Sequence, residues 1–453
     1  MIKHGIFKAN DIRGITEGTE PEWDEDGAYA IGAALVDVLD LTHAEGSLVV
    51  GRDMRVSSPR MSQAFARGVL SRGADIVDIG LASTDELWFA SGRLGLPGAM
   101  FTASHNPGEY NGTKFCLAGA KPIHPAQLVE IADRAMNSAV PAAVEQPGTR
   151  TEQDLLPAYA EHLHSLVDLS GIRRLKVVAD AGNGMAGHTL PAVLGVLDLD
   201  LIGLYTDPDG TFPNHAPNPL EPENLVDAQA AVREHGADLA LVFDGDADRC
   251  FIIDERGEVV SPSAVTAMIA AQELAREPGA TIVINKITSR SVAEVVAEGG
   301  GETVVTKVGH TFVKAAMAEH GAIFGGEHSA HYYFREFWGA DTGMLAGMHV
   351  LALAGATEQP LSELVERFNR YAASGEINSR VDDAVAVMDR VADAFTGRGE
   401  QDRVDGLTIS GPDWWVNVRA SNTEPLLRLN VEARAEDQMA ALRDEALGLI
   451  RAS

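Results

Sequence analysis

Apolar runs of strand length recur along the chain, each closed by a polar or glycine-bearing loop: SLVVG from Ser47, LKVVAD from Leu175, LALVF from Leu239 and TIVIN from Thr281. Helix-like stretches lie between them, and three of these end alike. They run into Arg72-Gly73-Ala74-Asp75 before IVDIG, into His235-Gly236-Ala237-Asp238 before LALVFDG, and into His320-Gly321-Ala322 before IFGGE. In each case a glycine follows the helix where a left-handed cap is wanted, and a strand starts at once. Strand, loop, helix and strand repeated in this way imply parallel or mixed sheets with helices on both faces. The pattern predicts three related α/β units.

Breaks in the pattern divide the chain. The Pro-, Ala- and polar-rich segment from Ser138 to Gln153 reads as a linker, a turn falls at Asp254-Glu255-Arg256-Gly257, and a third break lies near Tyr371 to Arg380. Beyond it, WWVNVRA and LLRLNVEA read as neighbouring strands followed by a helix from Glu436, a smaller α+β domain. The expected domains are therefore 1–150, 151–255, 256–370 and 371–453.

Length and composition agree with several globular domains: 453 residues, 45% of them hydrophobic, and no apolar run long enough for a membrane span. The N-terminal MIKHGIFKANDIRG lacks the apolar core of a signal peptide, and two cysteines, Cys116 and Cys250, do not make a disulfide framework. Cytoplasm is the expected location. A net charge of −30 repels nucleic acid and anionic lipid, so neither is an expected partner. If the substrate is a phosphate ester, cations placed in the loops must reverse that field locally.

Four loops carry candidate chemistry. TASHNP, Thr102 to Pro107, follows the apolar GAMF and places Ser104 as an exposed hydroxyl on a tight loop beside His105 and Asn106, ahead of a loop containing Lys114. It is either a nucleophile awaiting an activating neighbour or a polar turn that only caps backbone groups. DGDADR sets Asp244, Asp246 and Asp248 at alternate positions after a buried strand. Like charges held at about 4 Å repel by roughly 4 kcal/mol at an effective dielectric near 20, a penalty that a hard divalent cation removes. A calcium loop is disfavoured, because its sixth position, where glycine is needed, is Arg249 and CFII beyond it reads as a strand. GEHSAH offers Glu327 and Ser329 to sugar hydroxyls and His331 as a proton carrier, or simply a solvated loop. RASNTEP, with Arg428 just beyond, presents hydroxyls, amides and Arg419 to a phosphate, or forms an ordinary Ser/Asn/Thr turn. A fifth segment, Gly182-Asn183-Gly184-Met185-Ala186-Gly187, matches a dinucleotide fingerprint, but it stands alone and reads as a strand-to-helix turn.

Taken in order over nearly the whole chain, from Asp11-Ile12-Arg13-Gly14 through Arg428, these loops resemble the α-D-phosphohexomutase family. The resemblance implies four domains around a central cleft, each giving one loop. It implies Ser104 as the phosphoserine, and Asp244, Asp246 and Asp248 as ligands of Mg2+ together with a phosphoryl oxygen on Ser104. Glu327 and Ser329 would take the sugar's 3- and 4-hydroxyls, and Arg419, Ser421, Asn422, Thr423 and Arg428 the phosphate that does not react. Arg13, Lys114 and His331 would stand near the transferred phosphoryl group, with Arg249, Lys286 and His310 on the substrate.

The reaction so implied interconverts hexose 1- and 6-phosphates through a hexose 1,6-bisphosphate, which also serves as activator. A monomer or homodimer is expected. The residues expected on the sugar do not separate mannose from glucose; the resemblance of the loops around Glu327 and Arg419 implies mannose, with a glucose or dual preference as the alternative. The RASNTEP form argues against glucosamine phosphate, and His328 departs from the residues common after the glutamate. A metal-dependent phosphatase using the same aspartates and a nicotinamide oxidoreductase are the alternatives of other classes.

Overall fold

The computed structural model describes residues 1–41, 46–137, 143–420 and 426–452. It divides into two units, Met1–Val260 with Ser329–Ser362, and Ser261–His328 with Glu363–Ser453.

All three repeat glycines lie in the left-handed region, with φ of 88° at Gly73, 58° at Gly236 and 62° at Gly321. The strands they introduce are Asp75–Leu81, Leu239–Phe243 and Phe324–Gly326. In the first unit one sheet runs Ile12–Ile15, Tyr110–Leu117, Gly98–Phe101, Ser47–Arg52, Asp75–Leu81, Arg150–Glu152. Its middle is parallel, since Ser47–Arg52 pairs that way with both Asp75–Leu81 and Gly98–Phe101. Tyr110–Leu117 returns antiparallel to Gly98–Phe101 because the connection, the TASHNP loop, is too short for a crossover. Helix Glu25–Val38 packs on helices Ser58–Ser71 and Pro125–Asn137, and Thr84–Leu94 packs on the central strands and on helix Leu156–Leu166. The core includes Trp23, Ile31, Phe65 and Phe101, all fully buried.

A second sheet orders Val259–Val260, Cys250–Asp254, Leu239–Phe243, Lys176–Asp180 and Asp200–Leu204. Leu239–Phe243 is parallel to Lys176–Asp180 and antiparallel to Cys250–Asp254, with DGDADR as the hairpin connection. The strand Cys250–Asp254 stands where a calcium loop would need its second half.

The second unit begins with a parallel set, Glu302–Thr306 beside Thr281–Asn285 beside Phe324–Gly326, with helices Pro262–Arg276, Arg290–Glu298 and His310–His320. It ends in an antiparallel sheet in which Trp414–Ala420 and Leu426–Ala433 are neighbours and Glu436–Arg451 is the closing helix. The fold class is therefore three α/β units followed by a smaller antiparallel α+β domain.

Two stretches read as breaks carry strand. Arg150–Glu152, inside the expected linker, adds parallel to Asp75–Leu81. That outer strand would otherwise expose a row of unpaired amides and carbonyls, and Asp75 Oδ1 draws the segment in by accepting from the amide and hydroxyl of Thr149 at 2.6 and 2.9 Å. Likewise Ala372–Ala373 and Ile377–Arg380 both pair with Leu426–Ala433. Strands this short, or as polar as Arg150–Glu152, leave no apolar run to see.

Candidate active site

Ser104 follows the strand Gly98–Phe101 on a turn in which its own φ is +52°, an uncommon conformation for a residue with a side chain. Its amide is held by Thr102 Oγ1 at 2.8 Å. The hydroxyl is buried, not exposed as expected, because the acidic loop closes over it. Ser104 Oγ donates to Asp244 Oδ2 at 3.1 Å and lies 3.2 Å from His105 Nδ1. Burial, reinforced by the Arg249 charge, holds His105 well below the ordinary imidazole range, so the ring is neutral.

The close approach of the two loops requires glycine at 245. A Cβ there would stand 2.4 Å from the Ser104 carbonyl oxygen. The fingerprint-like turn supports the acidic loop from behind, since the amide of Met185 donates to Gly245 O at 2.9 Å. A Cβ on Gly187 would lie 2.0 Å from Thr206 O, so these glycines serve chain packing and the turn is the strand-to-helix connection expected.

The three aspartates are fully buried or nearly so, and one carboxylate oxygen from each falls within a 4.8 Å cluster. Lys114 Nζ lies 2.7 Å from Asp246 Oδ2 and 2.5 Å from Asp248 Oδ2, and Arg249 Nε donates to Asp244 Oδ2 at 2.8 Å. Thr84 Oγ1, at the start of helix Thr84–Leu94, donates to Asp246 Oδ2 at 2.6 Å. Burial pushes Asp244 up to about 7 against the pull of Arg249, with Asp248 and Asp246 adding to the rise. At Asp246 the burial penalty is outweighed by Lys114, which holds that carboxyl well below the usual range. Burial disfavours the Lys114 cation, but the two acids keep it charged and raise it above the ordinary lysine value.

These groups fit a hard divalent cation. Asp246 Oδ1 and Asp248 Oδ1 are buried and, among the described residues, accept no hydrogen bond. Buried carboxylate oxygens left so are costly unless a cation takes them, and an all-oxygen donor set suits Mg2+.

Arg13, on the strand Ile12–Ile15, donates to Asn106 Oδ1 at 2.9 Å and Asp11 Oδ2 at 2.6 Å. His331 places Nε2 3.7 Å from Asp248 Oδ1 and Nδ1 3.0 Å from Ser329 Oγ. Arg249 keeps Nη2 buried with no hydrogen-bond partner among the described residues. Ser104, the three aspartates, Lys114, Arg13, Arg249, Ser329 and His331 thus belong to the first unit.

The remaining predicted residues belong to the second unit. Glu327 Oε1 accepts from Asn285 Nδ2 at 3.0 Å and from the amide of Gly309 at 3.1 Å, immediately before His310 opens its helix. Lys286 Nζ pairs with Asp402 Oδ2 at 2.5 Å. Arg419 and Arg428 face each other across adjacent strands, and Glu376 sits on both, its Oε2 2.8 Å from Arg419 Nη2 and its Oε1 3.2 Å from Arg428 Nη1. Burial drives His328 down to about 4, although Glu376 opposes this. Ser421, Asn422 and Thr423 lie outside the described residues.

Several site residues escaped the sequence reading: Arg55 and Asp53 beneath the serine loop, Thr84 on Asp246, Asn285 on Glu327, and Glu376. The signal available was position. Asp53 and Arg55 follow Ser47–Arg52, and Asn285 ends Thr281–Asn285, at the carboxyl ends of strands where sites gather in α/β sheets.

Sequence models of phosphoglucomutase/phosphomannomutase match the chain throughout: alpha/beta/alpha domain I at residues 4–140, domain II at 157–257, domain III at 262–371 and the C-terminal domain at 376–449. Phosphohexose mutases of Xanthomonas campestris pv. campestris are 40% identical over 448 residues, covering 97% of this chain and 98% of that one. A Salmonella typhimurium phosphomannomutase is 39% identical over 457 residues, covering 99% of each. The crystal structure of a phosphoglucomutase/phosphomannomutase family protein from Burkholderia thailandensis superposes with a TM-score of 0.90 at 32% identity, over 100% of this chain and 98% of that one. The chain belongs to the phosphoglucomutase/phosphomannomutase family and is an intramolecular phosphotransferase. Among the described residues no helix is long and apolar enough to cross a membrane.

Proposed function

We propose that this protein interconverts mannose 1-phosphate and mannose 6-phosphate, with Ser104 as the carrier of the phosphoryl group and hexose 1,6-bisphosphate as both intermediate and activator. The observation that carries the reading is the buried Ser104 hydroxyl 3.1 Å from Asp244, within an acidic cluster that two cations already address. Mannose is the sugar named for the Salmonella relative.

Asp244, Asp246 and Asp248 would hold Mg2+, which when bound neutralises charge on the phosphoryl oxygens. Phosphoryl transfer asks mainly for alignment and charge neutralisation, and the chain's own groups supply both. Phospho-Ser104 gives its phosphoryl group to the free hydroxyl of the hexose phosphate: the Ser104 oxygen–phosphorus bond breaks as the sugar oxygen–phosphorus bond forms. Lys114, Arg13 and the open Nη2 of Arg249 balance the charge. His331, fixed by Ser329, takes the proton that the sugar hydroxyl loses, and the departing Ser104 oxygen ends protonated as the free hydroxyl, so one phosphoryl group moves one way and one proton the other. The bisphosphate turns end for end, and its other phosphoryl group returns to Ser104. Glu327, fixed by Asn285 and Gly309, reads the sugar hydroxyls, with Lys286 and His310 also on the substrate. Arg419 and Arg428, with the Ser421, Asn422 and Thr423 segment, take the phosphate that does not react. The phosphatase alternative has no use for that second phosphate site.

Intact mass tests the covalent step: the isolated protein should carry a form heavier by about 80 Da, the mass of one phosphoryl group, that Ser104→Ala lacks. Conversion of mannose 1-phosphate against glucose 1-phosphate, each primed with a bisphosphate, tests the sugar. A higher kcat/KM for glucose would replace mannose in this reading.

A further inference from the structure

One fully buried guanidinium organises the backbone around Ser104. Arg55 Nη2 donates to Ser104 O at 2.8 Å and Asn106 O at 2.7 Å, and Nη1 donates to Pro107 O at 2.6 Å and Tyr110 O at 3.0 Å. The remaining donor, Nε, goes to Asp53 Oδ2 at 3.1 Å. Asp53 is fixed in turn, its Oδ1 accepting from the Arg55 amide at 3.0 Å and from Ser58 Oγ at 2.5 Å. The ring of Phe212 covers the guanidinium at 5.1 Å. All five donors of the fork are therefore engaged, four of them on carbonyls of the serine loop.

We propose that Arg55 is a positioning residue for phosphoryl transfer: by gathering the carbonyls of residues 104, 106, 107 and 110 it sets the direction of the Ser104 hydroxyl. This rests on the reading of Ser104 as phosphoryl carrier. The loop's internal hydrogen bonds, Asn106 N to Ala103 O and Tyr110 N to Pro107 O, engage the carbonyls of Ala103 and Pro107 and leave those of Ser104 and Asn106 to be held from outside the loop. A serine at φ +52° is a strained conformation that persists only when its surroundings over-determine it. Arg55 takes the Ser104 carbonyl on one side, and Gly245 leaves room for it on the other. A lysine has the charge but not the planar fork, so it cannot hold four carbonyls at once.

The test uses the full chain in two variants. Arg55→Lys keeps the ion with Asp53, and the double variant Asp53→Asn with Arg55→Met removes both buried charges together, avoiding the penalty of an orphaned one. Folding is followed by circular dichroism, kcat and KM by conversion of hexose 1-phosphate, and the loss of phosphate from phospho-Ser104 to water by intact mass. In the folded variants kcat should fall about 100-fold, the order expected for an ångström of misplacement, with KM held within about threefold. Loss of the phosphoryl group to water should rise relative to transfer to sugar. A folded variant with wild-type kcat overturns the proposal. So does a fall in activity that only tracks the unfolded fraction, or loss of the fold in both variants, either of which leaves Arg55 with stability alone. Ser104→Ala run alongside separates the two levels: normal turnover there removes the carrier reading itself, whereas normal turnover in the Arg55 variants alone removes only this inference.

Discussion

Lys114 and Asp246 come from different sheets of the first unit, yet their charged atoms lie 2.7 Å apart, and the same ammonium reaches Asp248 at 2.5 Å. The lysine does part of the neutralising that a divalent ion completes. Lys114→Met should therefore destabilise the metal-free protein by about 3–5 kcal/mol, the usual cost of orphaning a buried charge. Mg2+ should restore more of that loss than it adds to the wild type. Thermal unfolding with and without Mg2+ checks this, and equal upshifts in the two proteins would contradict it.

Asp246 also takes the hydroxyl of Thr84, so its two oxygens differ: Oδ2 accepts from Thr84 and Lys114, while Oδ1 is buried with no hydrogen-bond partner among the described residues. Asp246→Asn keeps the shape and removes the charge. It should lower kcat by about 100-fold, the scale seen when one preorganised electrostatic group is lost, and shift the Mg2+ titration to higher concentration. An unchanged titration would take Asp246 out of the cation site.

Arg419 and Arg428 oppose each other in register on adjacent strands, an arrangement of like charges that is unfavourable without an anion between them. Glu376 supplies that anion. On the proposed reading it competes with the substrate's phosphate, so Glu376→Gln should strengthen inhibition by inorganic phosphate about tenfold, near the worth of one charge-assisted hydrogen bond. The inhibition constant decides, and weaker inhibition by phosphate would reverse the assignment.

Glu86 is buried at the start of helix Thr84–Leu94, with Oε2 lacking a hydrogen-bond partner among the described residues. Burial first, then Asp85 and Asp154, push it up to about 8, while His188 Nε2 stands 3.7 Å away and is itself held below its ordinary value by burial. A carboxyl raised in the folded state favours folding fully below its unfolded value, and that contribution is lost as pH rises through about 8. Glu86→Gln should therefore be more stable than the wild type at pH near 9, by on the order of a few kcal/mol, and the difference should shrink toward pH 5. Urea midpoints at the two pH values measure it. A constant difference would mean that Glu86 does not change its protonation on unfolding.

The sequence revealed those parts of the molecule in which chemistry and spacing coincide. Asp244, Asp246 and Asp248 at alternate positions after a buried strand could be read as one cluster, and the glycines at 73, 236 and 321 marked the repeat. What stayed hidden works at long range. Arg55 lies far in sequence from the carbonyls it binds, and Asn285 is likewise remote from Glu327. Carbonyl acceptors have no letter in a sequence, so a side chain devoted to them leaves no motif. The buried state of Ser104 was misread for a similar reason, because the loop that covers it comes from 140 residues away.

The hydrogen bond from the Met185 amide to Gly245 makes the helix Ala186–Val193 the footing of the acidic loop. Natural variation in that helix, in a stretch that looks built for a nucleotide, would thus register as altered grip on a metal ion. A chemist seeking to retune the cation without touching a ligand could begin there.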